Sequence, residues 1–165
     1  MALNQSFLPE WKHETGVTRK VLERIPFDQA SWKPHEKSMT LQRLAVHVAE
    51  IAGWVKETVL MDELDFSKGD FKPKEINSVE ELLAYYDDLV AKSFVILNDV
   101  SDETLMQNWT MRNGDVIYFT MPKIAVLRTW VFNHLVHHRG QLSVYLRLLN
   151  IPVPSIYGPS ADEQS

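Results

Sequence analysis

Helical periodicity is the sequence feature that most constrains how this chain folds. Apolar residues recur at intervals of three and four in four stretches of roughly 20 residues, the spacing that places them on one helix face. The predicted helices span residues 6–25, 40–62, 78–98 and 122–149. Because each stripe has to be buried against the others, the pattern predicts an all-α fold, a four-helix bundle.

Several helix ends are marked by residues with a known physical effect. Pro26 ends the first helix, because proline removes a backbone donor and clashes with the preceding turn. Ser78 and Glu81 have capping-box spacing, which makes Ser78 the N-cap of the third helix. Pro122 suits the first turn of the fourth helix, and Asn150 ends that helix together with the prolines that follow.

The connections between the helices differ in character. Residues 63–77 read as a mixed polar loop, whereas residues 104–121 hold two β-prone runs on either side of Asn113-Gly114. That dipeptide favours a type I′ turn, in which both central residues have positive φ. We therefore expect a short β-hairpin or an extended excursion between the third and fourth helices. No linker divides the chain, so residues 1–165 are predicted to form a single domain.

Composition excludes several classes of function. A net charge of −5 and a pI near 5.7 argue against a nucleic-acid partner, which requires a basic face. The chain has no cysteine, which excludes disulfides, thiolate metal ligands and a cysteine nucleophile. There is no signal-peptide pattern, and no apolar stretch approaches the roughly 20 residues that cross a bilayer. We expect a cytoplasmic protein without a membrane partner.

Three histidines occupy the predicted inner stripes, where polar side chains are unexpected. His134 and His138 are four residues apart and lie on one face of the fourth helix, a spacing that lets two imidazoles bind one ion. His47 lies on the inner stripe of the second helix and can meet them if the helix registers agree. Buried imidazoles without partners are costly, and a shared divalent metal would satisfy all three. A solvated pair on a helix of different phase is the alternative.

Four further polar residues are candidates for supporting such a site. Glu50 follows His47 by three residues, and it reads equally well as a solvated helix residue. His137 lies about 100° around the helix from its neighbour, either supporting a ligand or at the surface. Arg139 and Gln141 can orient ligands or bind a substrate carboxylate. The alternative for Arg139 is an exposed helix face.

The remaining unusual residues have both a structural and a functional interpretation. Gly140 costs a helix about 1 kcal/mol relative to alanine, which predicts close approach of another helix or of the chain tail. Four aromatic residues either line an apolar pocket or, as is more frequent, pack in the core: Trp11, Trp54, Trp130 and Tyr145. Three tail residues either fold near the metal end or belong to a frayed terminus: Tyr157, Asp162 and Glu163.

Two segments resemble a known family. They are SMTLQRLAVHVAEIAGWV, residues 38–55, and NHLVHHRGQLSVYLRLLNIPVPSIYGPSADE, residues 133–163. The helix-two histidine, the HxxHHRGQ run and the PxxYGPSADE tail are the most specific parts, and together they resemble the DinB-like family of metal-binding bundles. This family is distinct from the DNA polymerase that shares its name, and the resemblance covers nearly the whole chain.

The resemblance implies more than the residues do by themselves. It implies a four-helix bundle with up-down-down-up topology, a homodimer, and one divalent ion, nickel or zinc, held by His47, His134 and His138. Relatives include S-transferases that use the low-molecular-weight thiols bacillithiol or mycothiol, a mycothiol-dependent isomerase and proposed metal-dependent hydrolases. We therefore expect a metal-dependent thiol transferase acting on a small molecule, with a hydrolase or a non-enzymatic stress-response binding protein as alternatives.

Overall fold

The structure, a computed structural model, describes residues 2–69 and 71–164 and is mostly helical, with a small sheet. Its helices are α1 (Asn4–Leu22), α2 (Leu41–Ile51), α3 (Trp54–Leu60), α4 (Val79–Asp99), α5 (Asp102–Met106), α6 (Lys123–Val126) and α7 (Asn133–Leu148). A 3-10 turn covers Phe27–Gln29, and a π-helical segment, Leu127–Phe132, joins α6 to α7. The strands are β1 (Glu63–Asp65), β2 (Asn108–Asn113) and β3 (Val116–Pro122).

Two of the predicted helix ends, those marked by Ser78 and Asn150, agree with the structure. Ser78 is the N-cap of α4, and its Oγ accepts a hydrogen bond from the backbone N of Glu81 at 3.2 Å. Asn150 follows α7 with a φ of 57°, the left-handed conformation that often ends a helix. The first helix ends at Leu22, earlier than Pro26 by itself required.

The predicted count of four helices is not confirmed. The second predicted helix is interrupted between α2 and α3, where a Cβ on Gly53 would lie 3.1 Å from Leu89 Cδ2 of α4. Glycine thus permits close approach at this break. At Gly140, by contrast, a Cβ would meet nothing within 4 Å, so the predicted close approach there is wrong. Neither the short α5 nor the π-helical segment was predicted.

The connection predicted as a hairpin is part of a three-stranded sheet, so the chain is not all-α. Strands β2 and β3 pair antiparallel as expected, but β1 also pairs with β2 in parallel, within the segment predicted to be a polar loop. Asn113 pairs with Val116, so the turn consists of Gly114 and Asp115. Only Gly114 has positive φ there, at 58°, which is the φ pattern of a type II′ turn rather than type I′.

The core lies between α1, α2, α4 and α7. Helix α1 packs against α4 and α7, and α2 packs against α4 and α7. Trp11 is completely buried among these helices, stacks on Phe132 at 4.7 Å between ring centroids, and donates from Nε1 to Ser93 Oγ at 2.7 Å. This core fixes α2 beside α7. Within the described ranges, no helix combines the length and apolarity needed to span a bilayer.

The C-terminal tail, residues 151–164, folds back onto α1 and α7. Asp162 forms an ion pair with Arg147 of α7, and Glu163 forms one with Arg24, just after α1. The Tyr157 hydroxyl reaches the α1–α7 contact. The described part of the tail is therefore packed against the helices rather than frayed.

Candidate metal centre

The three predicted histidines come together at the contact between α2 and α7. One nitrogen from each of His47, His134 and His138 lies within 4.8 Å of the others. His134 and His138 are neighbours on α7 because they are one turn apart, and the packing of α2 brings His47 opposite them. In the part of the chain that the structure describes, this is the one group of three such side chains with metal-ligand spacing.

The separations within the cluster suit a metal ion. The Nε2 atoms of His47 and His134 face each other at 3.4 Å. Two imidazole nitrogens bound at 2.0–2.1 Å to a tetrahedral ion are about 3.3 Å apart. The three residues present therefore fit a divalent ion, and they supply nitrogen donors of the kind that nickel and zinc accept.

The nitrogens that face away from the centre of the cluster have acceptors of their own. Nδ1 of His138 donates to Oε1 of Gln141 at 2.7 Å, and Nδ1 of His47 lies 3.8 Å from Oε2 of Glu50. His134 is hydrogen-bonded to the backbone of Trp130. Such partners fix the tautomer and the ring orientation, and they leave the inward-facing nitrogen free to bind a metal.

Burial keeps the imidazoles of α7 neutral. Desolvation, together with the nearby His138 and His47, lowers the pKa of His134 to about 4. Desolvation also lowers the pKa of His138, and this outweighs the hydrogen bond to Gln141, which raises it. Both rings are therefore uncharged at neutral pH, the state in which histidine binds a metal.

Two of the four predicted aromatic residues contact the cluster. The ring of Trp54 lies edge-on to His47 and His134, at 5.6 and 5.0 Å between centroids, and Trp130 lies 5.8 Å from His134. Trp11 and Tyr145 pack elsewhere in the core. The cluster thus has apolar neighbours on the α3 and π-helical side, which limit access of water to His134.

The four residues predicted to support the cluster lie at different positions relative to it. Gln141 and Glu50 contact ligand candidates, as described above. His137 is exposed, and its ring packs against His138 at 4.8 Å between centroids. Arg139 is only 1% exposed, so the alternative of an exposed helix face is wrong. Its guanidinium contacts Glu14 of α1, not the histidines.

Arg139 belongs to a closed polar network between α7, α1 and the tail. Its Nη1 lies 2.7 Å from Oε2 of Glu14, and its Nη2 donates to the Tyr157 hydroxyl at 2.6 Å. That hydroxyl in turn donates to the Glu14 carboxylate at 2.9 Å, and Arg139 also donates to Thr18 Oγ1 at 3.2 Å. The sequence analysis did not single out Glu14. Its spacing, three residues after Trp11 and four before Thr18, places its carboxylate on the same helix face as those residues.

Arg43 was also missed. It precedes His47 by four residues on α2, and its Nη1 donates to Oε2 of Glu50 at 3.1 Å. The i, i+4 spacing that identified the histidine pair was available for this residue too.

The fold and the cluster define a mainly helical protein with a candidate three-histidine metal site. The chain belongs to the DinB family, whose family profile matches residues 1–165, and the resemblance seen in the sequence is confirmed.

Relatives and solved structures agree with this assignment. The chain is 26% identical over 161 residues to YrdA, an uncharacterised protein of Bacillus subtilis (strain 168), covering 95% of this chain and 89% of YrdA. A DinB-like protein from Bacillus cereus ATCC 10987 superposes with a TM-score of 0.71 at 24% identity, over 93% of this chain and 97% of its own. YjoA, a DinB-like protein from Bacillus subtilis, gives 0.70 at 21% identity, over 92% and 96%. These structures support the fold.

Proposed function

We propose that this protein is a divalent-metal-dependent transferase that uses a low-molecular-weight thiol. The observation that carries the proposal is the composition of the cluster: three imidazoles, with no fourth histidine or carboxylate among the described residues grouped with them. Structural zinc normally has four protein ligands, whereas catalytic sites leave a position for water or substrate. A bound ion at this site would supply Lewis acidity, lowering the pKa of a thiol or water at its open position.

The chain's own residues prepare the site for such chemistry. Gln141 accepts a hydrogen bond from the outer nitrogen of His138, and Glu50 lies beside the outer nitrogen of His47. Trp54 shields His134 from water. The chain has no cysteine, so a reacting thiol has to come from a second molecule. Thiol transfer is also what the resemblance to characterised DinB-like proteins implied.

Metal-dependent hydrolysis is the second candidate, and the position of Glu50 makes it the weaker one. A hydrolase benefits from a carboxylate that moves protons at the attacked bond. Glu50 is the carboxylate that the sequence analysis selected as a supporting residue beside His47. It accepts hydrogen bonds from Arg43 and from the backbone N of Lys74 and lies beside the outer nitrogen of His47. These contacts suit it to orienting His47.

The proposal extends to the fold and the assembly. The segments α1, α2–α3, α4 and α6–α7 would act as a four-helix bundle with up-down-down-up topology, in a single domain over residues 1–165. The protein would be a cytoplasmic homodimer carrying one nickel or zinc ion per chain. Light scattering after size-exclusion chromatography measures the oligomeric state.

The first test is metal content by mass spectrometry, on protein purified without a histidine tag and beside the His47→Ala variant. We expect about one nickel or zinc ion per chain, lost in the variant. Metal-loaded protein is then screened for ligand binding with small thiols. No metal in either sample, and none taken up on titration, would overturn the proposal. Metal that excludes thiols and exchangeable water, or whose removal unfolds the chain, would indicate a structural, non-enzymatic role.

A further inference from the structure

Arg43 is a partly exposed cation beside the histidine cluster. It lies one helical turn before His47, on the same face of α2. Its side chain is 36% exposed, while the Glu50 carboxylate that it contacts is 17% exposed. The guanidinium is thus partly exposed to solvent, on the helix face that carries His47.

The contact with Glu50 engages only part of the hydrogen-bond donors of Arg43. The carboxylate is shared among Nη1 of Arg43, the backbone N of Lys74 and the imidazole of His47. A guanidinium has five N–H donors, and one of them is engaged with Glu50.

Arg43 and Lys74 both contact Glu50. The other cation next to Glu50, Lys74, has its ammonium 4.4 Å from the centre of the Tyr85 ring. Of these two cations, Arg43 is the one whose guanidinium keeps donors beyond its contact with Glu50.

We propose that Arg43 forms a carboxylate-binding subsite next to the three-histidine cluster, so that the substrate carries a carboxylate close to its metal-binding group. This inference rests on the proposed metal-dependent function and narrows its substrate class. Arg43 binds and orients the substrate, and it is not assigned a role in bond making. The amide of Gln141, whose Oε1 is occupied by His138, is a second polar group on the α7 side.

The local charge favours a carboxylate over a phosphate. A planar carboxylate matches the fork of a guanidinium and carries one negative charge. A phosphate dianion would place two charges beside the Glu50 carboxylate, and Arg43 would compensate for only one of them. A neutral substrate would gain no charge-assisted hydrogen bond from the guanidinium.

The test compares the affinities of paired probes for protein loaded with cobalt(II), read from changes in the absorption spectrum of the metal. One pair consists of thiols, 2-mercaptoethanol and 3-mercaptopropionate. The other consists of hydroxamates, acetohydroxamate and the monohydroxamate of succinate. The quantity measured is the ratio of the affinity for the carboxylate probe to that for its neutral partner, which does not depend on how completely each variant is loaded.

The variants are Arg43→Gln, Arg43→Lys and the matched control Arg19→Gln. Arg19 is 40% exposed and also pairs with carboxylates, but it lies on α1. We expect a ratio of about ten or more in the wild type, because hydrogen bonds between charged groups are worth about 1.5–3 kcal/mol. The ratio should fall to near one in Arg43→Gln, take an intermediate value in Arg43→Lys, and stay unchanged in Arg19→Gln.

The outcomes separate this inference from the proposed function. A ratio near one in the wild type, or an unchanged ratio in Arg43→Gln, would overturn the carboxylate subsite while leaving thiol chemistry intact. If neither thiol binds but the hydroxamates show the expected ratios, the subsite stands and thiol transfer is wrong. If the protein takes up no metal, both proposals are overturned.

Discussion

His138 and Arg139 are consecutive residues of α7, yet their side chains belong to two different kinds of polar cluster. Arg139 faces α1 and closes a network with Glu14 and Tyr157 in which donors meet acceptors of this chain. His138 faces α2, where one nitrogen from each of three imidazoles converges. These nitrogens make poor hydrogen-bond partners for one another. A buried polar group is costly unless it is partnered. The first cluster finds its partners within the chain, whereas the second has a geometry compatible with a metal ion.

Breaking the closed network should have the largest effect. Arg139→Met leaves the Glu14 carboxylate buried without its cation, which should lower the free energy of unfolding by about 3–5 kcal/mol. Chemical denaturation followed by circular dichroism measures this. The double variant Arg139→Met/Glu14→Leu removes both charges and should be less destabilised than the single one. Equal or greater loss in the double variant would mean that the network does not depend on charge pairing.

Removing a ligand from the open cluster should abolish metal binding and spare the fold. We expect His134→Ala or His138→Ala to weaken metal affinity more than about 100-fold, because even residues that only orient ligands contribute 10–100-fold. Competition with a chromophoric chelator measures the affinity, and circular dichroism should show that the helices remain. His35→Ala, an exposed histidine, is the control. Full metal occupancy in either cluster variant would refute the assignment.

Altering the support of one ligand should have a smaller effect on the same measurement. Gln141→Leu removes the acceptor that holds Nδ1 of His138, and metal affinity should fall about tenfold. Gln141→Glu keeps an acceptor at this position and should bind metal more tightly than the leucine variant. Ser143→Ala, on the same helix, should not change the affinity. An unchanged affinity in Gln141→Leu would show that the hydrogen bond does not orient the ligand.

The smallest effect is expected at the tail, where the ion pairs are exposed. The Arg147 guanidinium lowers the pKa of Asp162 below its ordinary 3.8, and the backbone N of Ser155 lowers that of Glu163 below 4.5. The unfolded tail therefore binds protons more readily, so the contribution of these contacts is fully present above about pH 4.5 and is lost as the pH falls through the lowered values.

Hydrogen exchange of residues 152–164 at pH 3 and pH 7 tests this expectation. Protection of the tail should decrease at pH 3 before α7 loses its own protection. At pH 7, the Asp162→Asn variant should already show part of the loss of tail protection that the wild type shows at pH 3. Equal tail protection at both pH values would mean that apolar contacts, rather than the carboxylates, hold the tail.

The sequence predicted the ligand candidates better than their surroundings, and the reason is physical. Spacing within one helix places His134 and His138 together whatever the rest of the chain does, and His47 followed from its stripe. Local chemistry also fixed the N-cap at Ser78. Long-range pairing is different: β1 joins the sheet only because β2 lies beside it, and no local pattern marked Glu63–Asp65 as a strand.

The position of Arg139 shows a second limit. An arginine in a helix is usually exposed, and its burial depends on a carboxylate 125 residues earlier in the chain and a hydroxyl 18 residues later. The prediction of a close approach at Gly140 is wrong for a similar reason, because the tight contact between helices occurs at Gly53. Such features depend on how helices pack together, which helical periodicity does not specify.

The π-helical segment Leu127–Phe132 adjusts the rotational phase of the last helix. Its wider turns are closed by bonds five residues apart, such as that from Asn133 N to Arg128 O. Lys123, before the segment, bonds to Val59 O at the end of α3, while His134 and His138, beyond it, face α2. One residue corresponds to about 100° of rotation. If the same residues formed a continuous α-helix instead, the extra residue would rotate the histidine pair by that angle, away from His47.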